Sequence, residues 1–393
     1  MPAHSPLHFK NRLYYALLAA GGLVVLAGLY AVYLMEHHGH IITGMDDQIV
    51  WGMPHVFAIF LIVAASGVLN VASIGSVFGK ADYKARAPLA GLLSIAMLAG
   101  GLTVLMLDLG RPDRIIVAAT NYNITSVFAW NVLLYSGMFA LVAVYLWMMM
   151  ERRMNPWSKP AGFAVFAWRF ILTTGTGLIF AFLVARQAYA SALLPPLFIV
   201  ISFAWGMAAF LVAQAAIYAW NDKEPDPEIT RRMKNLLGVF IIGTLYLVAA
   251  YHLTNLYFAH QTGFERFILL DGGIYPQLFW WGYVVIGNIL PLLLIHAPSL
   301  GKNKCVIAAS MLVILGGFAF LYVFIIGGQA YPLNIFPGYQ ASSSFGDGQI
   351  AAYHPSIYEF LLGFGGLAIA FTITLVGVRV LNFMPQDKPH IAD

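Results

Sequence analysis

The sequence predicts an all-α, polytopic membrane protein: ten transmembrane helices in a single integral membrane domain over 1–393, with both termini cytoplasmic. Three observations carry that reading. Of the 393 residues, 60% are apolar and 10% charged, where a soluble domain has about 25% charged residues. The mean hydropathy is +0.78. The apolar residues also gather into ten runs, each near the roughly 20 residues that cross a bilayer core about 30 Å thick. So few polar groups cannot cover a globule of this mass in water, and disordered, collagen-like and nucleic-acid-binding classes are excluded.

The runs follow in order. The first, 13–35, comes after Lys10 and Arg12 and stops at Glu36-His37-His38; it is too long for a signal peptide and lacks a small-x-small cleavage pattern. Run 54–78 opens just after Trp51-Gly52, and 89–107 closes at Asp108. Runs 126–150, 161–189 and 196–219 follow, and then the charge-dense segment 221–234 reads as a solvated connector between two groups of spans. Runs 236–258, 278–298, 305–326 and 357–382 complete the set. Between the last two lies 327–356, a long loop without Lys or Arg and rich in Gly, Pro, Ser and aromatic residues. Loops of that length are commonly functional, so this surface is the one offered to an extrinsic partner. Three Trp-Gly pairs, at 51, 205 and 281, hint at a repeat whose flanks do not align.

Orientation follows from the positive-inside rule. With the N-terminus cytoplasmic, inner segments hold 16 of the 21 Lys and Arg residues. The outer side keeps Arg111, Arg114 and Arg266, while Arg169 and Arg186 fall in the fifth span, Arg169 near its inner end as a packed or snorkelling anchor.

Ionisable groups inside spans are costly and are functional hypotheses by default. Here most lie in the outer half: His55, Asp108, Arg111, Arg186, His252 and Glu359, with Glu36, His37, His38 and His354 in adjoining loops. Each has a structural alternative. Arg186 can snorkel or pair with Asp108 or Glu36, His252 can be a satisfied interior histidine, and Asp108 with Arg111 can be a helix-end ion pair. His37, His38 and His40 are either loop surface or a metal-binding cluster. No Asp or Glu lies near the midplane, where a proton pump usually carries an acidic relay. The single cysteine, Cys305, forbids an internal disulfide and a Cys-ligated iron–sulfur cluster. Redox chemistry must then use a lipid-soluble carrier or a cofactor held without Cys.

The stretch Asp108-Leu109-Gly110-Arg111-Pro112-Asp113-Arg114, followed by Asn123, Ser126 and Trp130-Asn131, resembles the D-L-G-R-P-x-R signature of the NrfD/PsrC-type family of quinone-interacting membrane subunits. Trp51-Gly52 is similar to the W-G that opens the corresponding span of that family, and Tyr353-x-Pro355-Ser356-x-x-Glu359 to its terminal Y-x-P-[S/T]-W-x-E. Gly327-Gly328-Gln329-Ala330-Tyr331-Pro332-Leu333 to Pro337-Gly338 looks like the DsrP-type branch of dissimilatory sulfur metabolism. This chain has Ile357 at the family's terminal Trp, and Arg186-Gln187 where the hydrogenase-associated branch has His-Gln.

The resemblance implies two four-helix bundles plus extra helices in a bacterial cytoplasmic (inner) membrane, a menaquinone or ubiquinone pocket near the outer face, and a four-cluster ferredoxin-like iron–sulfur subunit docked there, with cytochromes among the further subunits. A quinone needs a hydrogen-bonding or proton-exchanging group at each carbonyl and apolar walls for its ring. The expected site has His55 at one carbonyl, Trp51 as wall, Arg186 or Tyr189 at the other carbonyl, and Asp108 and Glu359 leading protons to outer water; Arg111 and Arg114 belong to the structural motif. Rival readings are haem b held by His55 and His252, a passive anchor, and a transporter.

Overall fold

The computed structural model describes residues 11–296, 303–333 and 348–381. Among them, ten helices are long and apolar enough to cross a membrane: α1 (Asn11–His38), α2 (Met53–Ser76), α3 (Ala87–Leu107), α4 (Val127–Met150), α5 (Asn155–Ala181), α6 (Leu194–Trp220), α7 (Pro227–Tyr257), α8 (Ile274–His296), α9 (Lys304–Ala330) and α10 (Ile357–Leu381). Lys10 and Pro337-Gly338, named above, and Lys302 and Lys388, two more of the sixteen inner basic residues, lie outside the described residues.

Every predicted run is a helix, but ends differ by several residues: the fifth helix starts at Asn155 rather than 161 and the eighth at Ile274 rather than 278, and three further differences bear on the site. The fifth stops at Ala181 rather than 189. Residues 182–190 stay apolar enough to extend it, yet they fold into successive turns that end with Ala190 at φ 36°, a left-handed conformation that no helix continues through. Arg186 and Tyr189 therefore sit in a connecting segment, and Arg169 lies at mid-helix instead of near an end. The seventh helix starts at Pro227, about two turns before the expected 236. Asp226 caps it by accepting from the Glu228 amide at 2.8 Å, Pro227 occupies the first turn, where its missing N–H costs nothing, and Glu228 pairs with Arg231 and Arg232. The supposed connector 221–234 shrinks accordingly. The ninth helix runs on to Ala330, so the long loop begins at Tyr331.

The central element is α2. Of its most apolar window 94% is buried by protein, against 22% for α1 and α4, so α2 faces neighbours all round while α1 and α4 face lipid. It packs on α3, α5, α6, α9 and α10. Helices α2–α5 form one four-helix group and α6–α9 a second, while α1 and α10 pair and lie against α3 and α2. Where α2 crosses α6, Gly67 meets Gly206: a Cβ on Gly67 would overlap the Ser202 carbonyl, and one on Gly206 the Gly67 backbone. Small residues let helix backbones approach when lipid supplies no hydrophobic drive, which accounts for the glycine in Trp205-Gly206. The ends of odd-numbered helices and the starts of even-numbered ones share one face, called the pocket face below.

Gly67→Leu is expected to cost more than about 3 kcal/mol through overpacking at this crossing, read as a lowered unfolding temperature in detergent and loss of monodisperse protein; unchanged stability would contradict the close approach.

Candidate functional site

Three distant segments meet above the start of α2. The first amides of a helix have no partners within it, and in a low-dielectric setting they need acceptors. Glu359, at the start of α10 and fully buried, supplies them. Its Oε2 accepts from the Met53 amide at 3.2 Å and from the Tyr353 hydroxyl, and its Oε1 accepts from the amides of Gly44 at 2.6 Å and Ser356 at 3.0 Å. Burial, and next the Glu359 charge, hold the Tyr353 phenol above its usual range, so it remains the donor. Gly52 caps α2 because a Cβ there would lie 2.6 Å from Glu359 Oε2 and 2.7 Å from the Tyr353 hydroxyl. The W-G pair and the terminal Y-x-P-S-x-x-E stretch are thus two halves of one contact. Glu359 is saturated by donors and does not line the pocket described next.

In the first turn of α2, His55 Nδ1 lies 2.9 Å from Oδ2 of Asp108 at the end of α3. The contact is ionic in distance but poorly aligned, so neither carboxylate oxygen has a formed hydrogen bond. With Nδ1 turned to Asp108, Nε2 is the ring nitrogen left for a ligand. Trp51 stacks on the imidazole at 5.9 Å and 24° and is itself wedged edge-on against Phe180 and Phe128. These residues wall a cavity of about 520 Å³ between α2, α3, α4 and α5, within the range of ligand pockets. Its other polar lining is Arg111, Arg114, Asn131, Tyr135 and Ser136. Asn131 donates to the carbonyls of Val127 and Gly175, which fixes its amide, and leaves its Oδ1 buried without a partner. Exposed apolar residues, Met106, Leu109 and Phe128, mark a mouth toward lipid.

The expected Asp108–Arg111 ion pair is not formed. Arg111 makes paired 3.0 Å hydrogen bonds to Asp113, which hold its guanidinium above and the Asp113 carboxyl below their ordinary ranges. Arg186 pairs with neither Asp108 nor Glu36 in the described contacts; it donates to the carbonyls of Gln48 and Gln329 at 2.8 and 2.9 Å. Tyr189 is fully buried, its hydroxyl donating to the carbonyls of Phe324 and Ile325. Neither residue lines the cavity. Their segment instead braces its wall through Gln329, whose side chain accepts from the Trp51 amide at 3.0 Å and donates to the Trp51 carbonyl at 2.9 Å. Gln329 stood in the sequence without an assigned role. Tyr135, one turn beyond Asn131, likewise had no assigned role.

His252 lies elsewhere. Its Nδ1 is 2.7 Å from Oε2 of the fully buried Glu265, whose Oε1 accepts from Asn255 at 2.7 Å. Its ring meets Phe279 and Tyr251 beside a void of only about 20 Å³, room for little more than a water. His55 and His252 thus open on different cavities, each with Nδ1 turned to a carboxylate, which does not fit one haem between them. Among the described residues no three His, Cys, Asp or Glu side chains converge to hold a metal, so His37, His38 and His40 form no such cluster.

Residues 42–332 match the profile of the family described as "Polysulphide reductase, NrfD". The chain is 28% identical over 377 residues, 95% of itself and 94% of the relative, to a protein of Archaeoglobus fulgidus named "Hdr-like menaquinol oxidoreductase integral membrane subunit". It is 27% identical to a putative membrane subunit of the dimethyl sulfoxide reductase of Halobacterium salinarum, covering 91% and 89% of the two chains. It is 23% identical to a subunit of the selenate reductase of Mesobacillus selenatarsenatis, covering 97% and 96%.

Glu359→Gln puts an amide N–H₂ among four donors. It is expected to destabilise the protein by about 1–3 kcal/mol, measured as a fall in unfolding temperature; a neutral result would remove the carboxylate from its capping role.

Proposed function

The chain belongs to the NrfD polysulphide reductase family, and from that premise we propose that it is the quinone-exchanging membrane subunit of a multi-subunit redox complex, with the cavity beside His55 as its site. The observation that carries this is His55, backed by Asp108, in the wall of a cavity with a lipid-side mouth. Oxidising a quinol releases two electrons and two protons. His55 Nε2 takes a proton from one hydroxyl, and Asp108 orients the ring and stabilises the imidazolium that forms, the role a buried carboxylate plays behind a general base. Asn131 Oδ1 accepts a hydrogen bond from the second hydroxyl, whose proton passes to water at the pocket face while the two electrons leave to the redox partner, and Trp51 covers the ring face. Quinone reduction uses the same groups in reverse. The name of the Archaeoglobus relative supports a menaquinol as the ligand.

With one cysteine in the chain, iron–sulfur clusters reside in a companion subunit, which docks on the pocket face; cytochromes follow further along. The basic residues concentrated on the opposite face support a cytoplasmic position for that face and an outer one for the pocket face. Glu359 serves as the brace of α2, and Arg186 as a clamp behind Trp51. The seat of the complex is the cytoplasmic membrane.

His55→Gln and Asp108→Asn are each expected to slow quinol-coupled turnover of the assembled complex by about 10²-fold or more, the usual scale for a general base. Asn131→Leu should weaken binding of a fluorescent hydroxyquinoline N-oxide, a quinol analogue, while the assembly still co-purifies intact. Wild-type turnover and binding in all three would sink the site. Orientation is checked in a Cys305→Ser background: Glu224→Cys should react with an impermeant maleimide only from the cytoplasmic side and His260→Cys only from outside.

A further inference from the structure

Arg169 is 3% exposed at the middle of α5, where a charge is costly. It does not snorkel. Its guanidinium donates to Asn70 Oδ1 at 2.7 Å and to the Ser66 carbonyl at 3.3 Å, and it is caged by the rings of Phe166, Phe170 and Phe203 at 5.2, 4.9 and 5.4 Å. No carboxylate lies within ion-pair reach of it among the described residues. Arg169 Nε and Asn70 Nδ2 are buried without a hydrogen-bond partner, the condition that buried water satisfies.

From this charge a line of polar side chains leads to the cavity. Thr173 and Thr176 share the Arg169 face of α5. The Thr173 hydroxyl is 2.7 Å from that of Ser66, and the Thr176 hydroxyl is 3.5 Å from that of Tyr135, which lines the cavity with Asn131. All of these residues are buried. On the far side of Arg169 the α5 face continues as Phe166, Val165 and Gly162, but the Asn70 side of α2 goes on with Ser73 and Ser76, and Ser76 meets Tyr145 beside Gly162. The polar line therefore runs from the cavity to the membrane midplane and sparsely beyond it, with a positive charge standing in it.

A neutral side chain could make the same two hydrogen bonds at far lower desolvation cost. What the guanidinium adds is a permanent charge, and fixed positive charge in a narrow polar passage excludes protons and other cations. We propose that Arg169 is an electrostatic stop that closes the polar line to protons, so that the cavity exchanges protons only with its own face. The inference rests on the polar line and not on the ligand assigned to the cavity; a passive leak measurement therefore reads it even if that assignment fails.

The test uses the full chain in liposomes with a pH-sensitive dye inside and a valinomycin-set potassium potential. Wild type should be as tight as liposomes without protein. Arg169→Gln, which keeps hydrogen-bonding groups and loses the charge, should raise the proton leak on the order of tenfold, as removal of a nearby unit charge in a low-dielectric passage implies. Arg169→Lys should stay tight. Asn70→Asp keeps the guanidinium but neutralises it, and should leak like Arg169→Gln, which gives a readout should the latter fold poorly. A tight Asn70→Asp variant, or an Arg169→Lys variant that leaks as much as Arg169→Gln, would overturn the proposal.

Discussion

The structure depends on the contact between the Glu359 carboxylate and the start of α2. That helix is enclosed by five others, so its first amides have no route to water and must find acceptors in the protein. A carboxylate is a strong choice, because it accepts several hydrogen bonds and carries the charge that a helix N-terminus favours. The same group ties residues 44, 353 and 356 to α2. Closing this contact joins the start of the central helix to the start of the last one, and it fixes where Trp51 and His55 stand relative to the ends of α3 and α5.

The buried charges of the chain fall into different states, and the difference separates support from chemistry. Glu359 has four donors, and Glu265 is held by His252 and Asn255. Asp108 is paired only with His55, in poor hydrogen-bond alignment, and the Asn131 oxygen, on another wall of the cavity that His55 lines, has no partner at all. Buried polar groups left unmade cost about 1–3 kcal/mol each. Two such costs around one cavity are what the proposed ligand site rests on. The saturated carboxylates have no such vacancy.

Much of the fold was legible because bilayer thickness sets helix length, and hydropathy reads that directly: all ten helices were foreseen. Helix ends were not, because they are set by caps and local backbone, which hydropathy averages away. The start of α7 was nevertheless written in Asp226-Pro227-Glu228, a cap, a first-turn proline and a first-turn acid, obscured by its charge density. The turns after Ala181 left no such mark, and with them Arg186 and Tyr189 moved out of the expected site. Trp51, His55 and Asp108 were readable as costly or aromatic groups at helix ends. Gln329 was not, since nothing in a sequence shows that its amide will pair with the backbone of residue 51.

The depth of each group decides what the arrangement can do. His55, Asp108 and Trp51 lie within the first turn or so of the pocket face, while Arg169 lies at the midplane with hydroxyls between. On the proposed function, protons released at His55 have a short path to the near face and meet a fixed positive charge on the way to the far one. If electrons also leave through a subunit on the near face, both products of quinol oxidation exit on one side and no net charge crosses the bilayer. The missing acidic relay at the midplane and the arginine found there are then two aspects of one design: a membrane subunit whose chemistry belongs to a single face, with the rest of its thickness serving as an insulator.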